Sequence, residues 1–291
     1  MGQARRILVV GGDALIGRAL VAHLKRQGHE VFASSRHAGS DLHLDLTRPD
    51  SWPDLPPVDA AILVAAVARL ADCDRDPEGS RRVNLAAPSL LAERLAAQGS
   101  HCLFLSTDKV FDGSRPLRAR DDARCPLTEY GRQKAAAEAA VLAAGGAVLR
   151  LSKVLSPDLE LLQDWRRKLL AGEPITPFAD MNLAPVTAEF VAALATDLAL
   201  DRKSGIFHCT GGEDLPYTAL AEAIAAGLGA DRALIRPIKA AGTMLPGILV
   251  PFSSLEMSRE ADLYGRPNPT FASVTGEIAR AVSAQPIRSA I

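Results

Sequence analysis

Tyr130 and Lys134 stand four residues apart in the run Glu129-Tyr130-Gly131-Arg132-Gln133-Lys134. On a helix that spacing sets a phenol and an ammonium one turn apart on the same face. A cation held there favours phenolate over phenol. It draws the tyrosine down from about 10 toward the range where it exchanges a proton with a substrate hydroxyl or carbonyl. The pair alone does not establish catalysis, because any amphipathic helix can present a Tyr and a Lys in this way. A second, independent signal is needed, together with a scaffold that brings the two to one place.

The second signal opens the chain. Ile7-Leu8-Val9-Val10 is a short apolar run of the kind that forms a buried parallel strand, and it leads into Gly11-Gly12-Asp13-Ala14-Leu15-Ile16-Gly17. A helical pattern follows, with Leu15, Ala19, Leu20 and Leu24 on one side and Arg18, Lys25 and Arg26 on the other. In a strand, glycine turn, helix order, backbone N–H groups at the helix start face a pyrophosphate. A side chain at Gly11 would obstruct the turn, and one at Gly17 the helix–strand contact. Gly11, Asp13, Leu15, Ile16 and Gly17 are therefore the candidate cofactor-binding residues of this segment.

Three motifs in this order, Gly11-xx-Ala14-xx-Gly17, Ser106-Thr107-Asp108-Lys109-Val110-Phe111-Asp112-Gly113 and Tyr130-xxx-Lys134, resemble the extended short-chain dehydrogenase/reductases. Within them the chain is similar to the dTDP-4-dehydrorhamnose reductase branch, which includes the regulatory β subunits of methionine adenosyltransferase. Asp76-Pro77-Glu78 with Val83-Asn84, Phe178-Ala179-Asp180 with Ala184-Pro185-Val186-Thr187, and Ser204-Gly205-Ile206-Phe207-His208 also resemble that branch. The likeness covers most of residues 5–220. It implies a Rossmann-type α/β fold, a doubly wound parallel sheet with a smaller C-terminal α/β substrate lobe. It also implies Thr107, Tyr130 and Lys134 as the catalytic residues, with Ser106, Tyr130 and Lys134 contacting the cofactor, Lys134 at the nicotinamide ribose.

The rest of the chain fits such a scaffold. Strand-like runs at Glu30 to Ser34, Ala60 to Ala66, His101 to Ser106 and Ala147 to Leu151 alternate with helical patterns at Pro77 to Gln98 and Leu127 to Ala144. Such βαβ repetition predicts a parallel sheet with ligands outside the carboxyl ends of its strands. Residues 1–151 are expected to form the NAD(P)-binding domain, to which 187–209 return, and residues 152–186 and 210–291 the substrate lobe.

The cofactor choice rests on Ala33-Ser34-Ser35-Arg36-His37, at the end of the second strand. An NAD enzyme usually offers a carboxylate there. None is present, while Ser35 and Arg36 suit a 2'-phosphate, so NADP(H) is preferred and NAD(H) is the alternative. Asp45-Leu46 resembles the family's adenine-contacting pair, and the small Ala65-Ala66, followed by Val67, leaves room for the cofactor backbone.

On the substrate side the expected residues are Lys109, Lys153, Trp165, Asp180 and Asn182. Trp165 either stacks on a base or packs within an amphipathic helix. The segment Gly113 to Thr128 carries Arg115, Arg118, Arg120 and Arg124, as a solvated loop or as a cover over a nucleotide diphosphate.

Departures from the family pattern bear on the substrate. Val64-Ala65-Ala66-Val67-Ala68-Arg69 replaces a segment that in the reductases is Asn-Ala-Ala-Ala-x-Thr, and Lys109 stands where the branch commonly has tyrosine. The resemblance therefore implies reduction of a keto group on a nucleotide sugar or related small molecule, not rhamnose in particular. Two further readings stay open. Thr107-Asp108-Lys109 resembles the acid/base trio of nucleotide-sugar 4,6-dehydratases, relatives of the epimerases that keep a bound NAD(P). A non-catalytic NADP-binding subunit, like the methionine adenosyltransferase β subunit, is the other.

Composition narrows the partners. Thirty-three basic against 34 acidic residues give a formal charge of -1, with no overall electrostatic footprint for nucleic acid. Four cysteines without CxxC spacing predict free thiols and no metal site. No apolar run approaches a membrane span, so a cytoplasmic protein is expected. The resemblance implies a homodimer formed through helices near residues 79–98 and 128–143.

Overall fold

The structure, a computed structural model, describes residues 3–37, 39–240 and 249–285. The strands are β1 (Arg6–Val10), β2 (Glu30–Ser35), β3 (Leu42–His43), β4 (Ala60–Leu63), β5 (His101–Thr107), β6 (Ala147–Leu151), β7 (Lys153–Leu155), β8 (Asn182–Leu183), β9 (Pro185–Thr187), β10 (Gly205–Cys209) and β11 (Leu215–Pro216). The helices are α1 (Leu15–Arg26), α2 (Leu70–Arg75), α3 (Pro77–Arg81), α4 (Ala87–Ala97), α5 (Glu129–Ala143), α6 (Glu160–Leu170), α7 (Ala188–Leu200), α8 (Tyr217–Leu228), α9 (Ser258–Tyr264) and α10 (Phe271–Ala284).

Seven parallel strands form the central sheet in the order β10-β6-β5-β4-β1-β2-β3. β1 lies in the middle, paired with β2 on one side and β4 on the other. The chain thus reverses its winding direction at the ends of β1 and β4, and a crevice opens there. The unbroken apolar character of β1 follows from burial on both faces. Ile7 and Val9 pack with Leu20, Leu24, Val191 and Leu198 of α1 and α7, while Leu8 and Val10 pack with Leu91, Leu95 and Val141 of α4 and α5. β4 ends at Leu63, so Ala65 and Ala66 stand beyond the strand instead of completing it.

A third core, built on Leu162, Leu169, Leu183, Leu220, Ile224 and Ile278, joins α6, α8 and α10 with β8 into a smaller lobe. Two-stranded ribbons, β7 with β9 and β8 with β11, link it to the main body. Segment 249–264, expected in this lobe, behaves differently: Met257 enters the core beneath the main sheet, Leu255 packs on Val110 and Phe111, and α9 lies on β10. The reason is the sheet edge. β10 is the last strand, and α9 supplies cover that its neighbours do not.

The helix carrying the Tyr-Lys pair starts at a defined point. Thr128 caps α5 by accepting a bond from Gly131 N at 3.1 Å, with Glu129 in the first turn complementing the helix dipole. Gly131 is needed because any Cβ there would collide with the Lys109 carbonyl oxygen. That close approach lays the first turn of α5 against the end of β5, where Thr107 lies.

Candidate active site

Two neighbouring clefts open at the carboxyl ends of the strands. The first has a volume of about 340 Å³, and its lining includes Gly11, Asp13, Ser35, Arg36 and His37. Asp45, Leu46, Ala65, Ala66 and Val67 complete the wall expected from the sequence. Gly11 has a positive φ of 87°, and a Cβ on it would meet that of Ala65 at 2.7 Å. A Cβ on Gly17 would strike the Gly11 carbonyl oxygen. The start of α1 has no side-chain cap and no acidic residue in its first turn. Its leading N–H groups are therefore available to an anion. Leu15 and Ile16, expected here, are not among the residues lining this cleft: Ile16 packs against the sheet core and Leu15 lines a separate groove. These features fit a pyrophosphate-bridged dinucleotide, and Ser35 and Arg36 line the same cleft.

The second cleft, of about 280 Å³, contains Thr107, Asp108, Lys109, Tyr130, Lys153 and Asn182. Val67 lines the first cleft and Ala68 the second, so consecutive residues separate them. The Thr107 hydroxyl shares this cleft with the Tyr130 phenol and favours its ionised form. It also donates to Asp108 Oδ1 at 3.0 Å and accepts from Lys109 N at 3.2 Å. Lys109 Nζ pairs with Asp108 Oδ2 at 2.9 Å.

The electrostatics correct one expectation. Burial, followed by the negative charge of Asp108, pushes the Tyr130 phenol above the usual tyrosine range, and only Thr107 acts against them. Lys134 does not supply the expected depression. It is 2% exposed, donates from Nζ to the Leu105 carbonyl at 2.6 Å and sits 3.7 Å from the Phe104 ring centroid. Burial lowers the Lys134 amine to about 7, with Glu138 opposing that shift. The spacing sets the two residues one turn apart on α5, but burial dominates both groups and neither is among the charges that shift the other.

Ser106 also departs from expectation. Its hydroxyl donates to Glu138 Oε1 at 2.6 Å, on the face of β5 opposite Thr107, because adjacent strand residues point to opposite sides. Trp165 is 4% exposed in the core of the smaller lobe, which corrects its assignment to the substrate. Asp180 caps the backbone by accepting from Ala240 N at 2.6 Å and is not among the residues lining the second cleft. Asn182 does line it, and donates to the Pro251 carbonyl at 2.9 Å. The four arginines of the 113–128 segment are all engaged by protein groups. Arg115 meets Asp122, Arg118 meets Asp112, Arg120 meets Glu256, and Arg124 donates to the Ala135 carbonyl. The segment braces the chain near Ser254 instead of offering free cations.

Asn84 was missed as a positioning residue. Fully buried, it exchanges two hydrogen bonds with the Val67 backbone, at 2.9 and 3.0 Å, and reaches Gln133 of α5 at 2.9 Å. It sits in a widened π turn, Arg82–Ala86, just ahead of Pro88. Proline removes a helical N–H and crowds the carbonyl four residues before it, which is that of Asn84. The polar residue four positions ahead of a mid-helix proline was the available signal. Tyr217 and Ser253, which also line the second cleft, carry no motif and come from distant parts of the chain. All four cysteines are free, and among the described residues no helix is long and apolar enough to cross a membrane.

Comparison with known proteins agrees with this architecture. Residues 5–283 match the family model of the RmlD substrate binding domain. The dTDP-4-dehydrorhamnose reductase of Streptomyces griseus is 32% identical, with 87% of this chain and 86% of that protein covered. A probable low-salt glycan biosynthesis reductase of Haloferax volcanii is 30% identical over 90% of this chain and 93% of its own. Methionine adenosyltransferase 2 subunit beta of Rattus norvegicus is 28% identical, covering 81% and 75%. Of the solved structures, dTDP-4-dehydrorhamnose reductase of Yersinia enterocolitica superposes with a TM-score of 0.84 at 22% identity, covering 96% of this chain and 99% of the other. The Bacillus anthracis reductase in complex with NADP gives 0.80 at 16% identity, with the same coverage. The chain belongs to the RmlD substrate binding domain family, the dTDP-4-dehydrorhamnose reductase-like branch of the extended short-chain dehydrogenase/reductases.

Proposed function

We propose that the protein is an NADPH-dependent reductase of a keto group on a nucleotide-activated sugar or a related small molecule, with NADP(H) preferred and NAD(H) accepted. One observation carries this reading: Tyr130 and Thr107 line one cleft, and that cleft adjoins the glycine cradle. NADPH, when bound, supplies the hydride that ketone reduction requires. The protein's part is acid catalysis and charge stabilisation. Tyr130 gives its proton to the substrate carbonyl oxygen as that oxygen takes on alkoxide character, and the Thr107 hydroxyl stabilises the same oxygen. A phenol kept protonated is the form this direction needs. Lys134, turned to the Leu105 carbonyl in the free protein, holds the nicotinamide ribose when the cofactor is bound. Lys109 and Lys153 supply positive charge in the cleft for a diphosphate, and Asn182 an amide.

The Asp108–Lys109 pair favours a second reading, a nucleotide-sugar dehydratase in which these two groups move protons during water elimination. Incubation with NADPH and a panel of nucleotide-linked ketoses distinguishes the outcomes. Steady NADPH oxidation with an alcohol product supports the reductase. Loss of water without net NADPH consumption supports the dehydratase. Tight dinucleotide binding without turnover, with a partner protein recovered, supports a regulatory subunit and contradicts both.

A further inference from the structure

We propose that Asp13 is a cofactor-selecting residue: its carboxylate occupies the adenosine-ribose end of the cleft, where it opposes a 2'-phosphate and offers an acceptor to a ribose hydroxyl, so that NAD(H) is admitted beside NADP(H). This rests on the dinucleotide reading above and specifies how that site discriminates.

The second strand ends without a carboxylate, in Ser34-Ser35-Arg36-His37. The fold brings one there from the glycine turn. Gly11 N and Gly12 N both donate to the Ser34 carbonyl, at 3.2 and 2.9 Å, pinning the turn to the end of β2. The approach is close enough that a Cβ on Gly12 would meet that of Ala33 at 2.7 Å. The next side chain, Asp13, therefore reaches across β2. Ser35 Oγ donates to Asp13 Oδ2 at 2.7 Å and accepts from His37 N at 3.0 Å, while His37 Nε2 lies 3.7 Å from the same carboxylate oxygen. Arg18 fixes the backbone by donating to the Asp13 carbonyl at 2.7 Å. Asp13, Ser35, Arg36 and His37 line one cleft.

An ionised carboxylate accepts hydrogen bonds and donates none. Toward a ribose diol it is the partner that dinucleotide folds commonly use. Toward a 2'-phosphate it offers no bond and adds like-charge repulsion, and the Ser35 hydroxyl must leave Asp13 before it can serve the phosphate. With its side chain 51% exposed, Asp13 keeps acceptor capacity beyond the Ser35 bond. Arg36 and His37 favour the phosphate and Asp13 opposes it, so the NADP(H) preference is smaller than Arg36 alone would give.

Titration of the full chain with NADPH and with NADH, followed by calorimetry, tests this in wild type, Asp13→Asn and Asp13→Ser. Both variants remove the charge, and the asparagine oxygen still accepts from Ser35. The NADPH-to-NADH affinity ratio should rise at least about tenfold in both, and the gain should narrow at high salt. An unchanged ratio, or an equal change for both dinucleotides, overturns the proposal, since a merely structural Asp13 moves both together. Wild-type protein that binds neither dinucleotide overturns the functional reading, and this proposal with it. Binding of both with an unaltered ratio overturns this proposal alone.

Discussion

Successive turns of α5 treat buried charge in opposite ways. Glu138, fully buried, is satisfied from several sides: Arg150 donates from Nε and Nη2 at 3.0 and 2.8 Å, and Ser106 at 2.6 Å. Lys134, one turn earlier and equally buried, has a backbone carbonyl and an aromatic face. Tyr130, a further turn back, shares a cleft with Thr107 and Asp108. Complete pairing ties Glu138 and Arg150 to each other and makes them structural. Sparse pairing leaves Lys134 near 7 and Tyr130 protonated, so these two remain able to change state when a ligand arrives.

The largest effect that sharpens this contrast is on chemistry. Tyr130→Phe is expected to lower turnover by about 10²- to 10⁴-fold. NADPH affinity should stay within about threefold, measured by calorimetry beside the rate. Next comes stability. Glu138→Ala strands the Arg150 guanidinium and should cost about 3–5 kcal/mol in urea unfolding, whereas replacing Glu138 and Arg150 together with Leu and Met should cost much less. A double variant as unstable as the single one would break the contrast.

Lys134→Met should have the opposite sign, stabilising the free protein by about 2 kcal/mol at pH 6 while abolishing activity. The pH dependence follows from the direction of its shift. Below about 7 the lysine is charged in both folded and unfolded chains, and the full desolvation cost applies. Between 7 and the ordinary lysine value near 10.4 only the unfolded chain is charged, so wild-type stability rises with pH and the advantage of methionine shrinks. Thermal unfolding at pH 6 and pH 9 reads the difference directly. Arg36→Ala should weaken NADPH by about ten- to hundredfold and NADH by less than threefold in the same calorimetric titration. The smallest change is Ser106→Ala, expected to cost about 1 kcal/mol with turnover within twofold, because its hydroxyl serves Glu138 and not the cleft.

The sheet and its glycine cradle were legible because both are local. An apolar run followed by Gly11 and Gly17 fixes a strand, a turn and a helix within a dozen residues, and burial on two faces leaves no other reading of β1. The meeting of Thr107 and Tyr130 on one cleft was legible for the same reason, each being carried by a short motif. What the spacing could not show was the balance of energies after folding. Whether Lys134 acts on Tyr130 or turns to the Leu105 carbonyl depends on the depth of burial and on Phe104, which is far away in sequence. Trp165 and the four arginines were ambiguous because an amphipathic helix and a basic loop look alike whether their partners are ligands or protein. The partners here, the smaller lobe's core and the carboxylates of Asp112, Asp122 and Glu256, come from tertiary contacts.

Tyr130 is one of three tyrosines, so its ionisation can be isolated by subtracting the ultraviolet pH titration of Tyr130→Phe from that of wild type. In the dinucleotide-free protein the difference curve should show no phenolate until the pH exceeds the ordinary tyrosine value of about 10, as burial beside Asp108 requires. A difference curve that rises near neutral pH would mean that Lys134 governs the phenol after all, and would contradict the account.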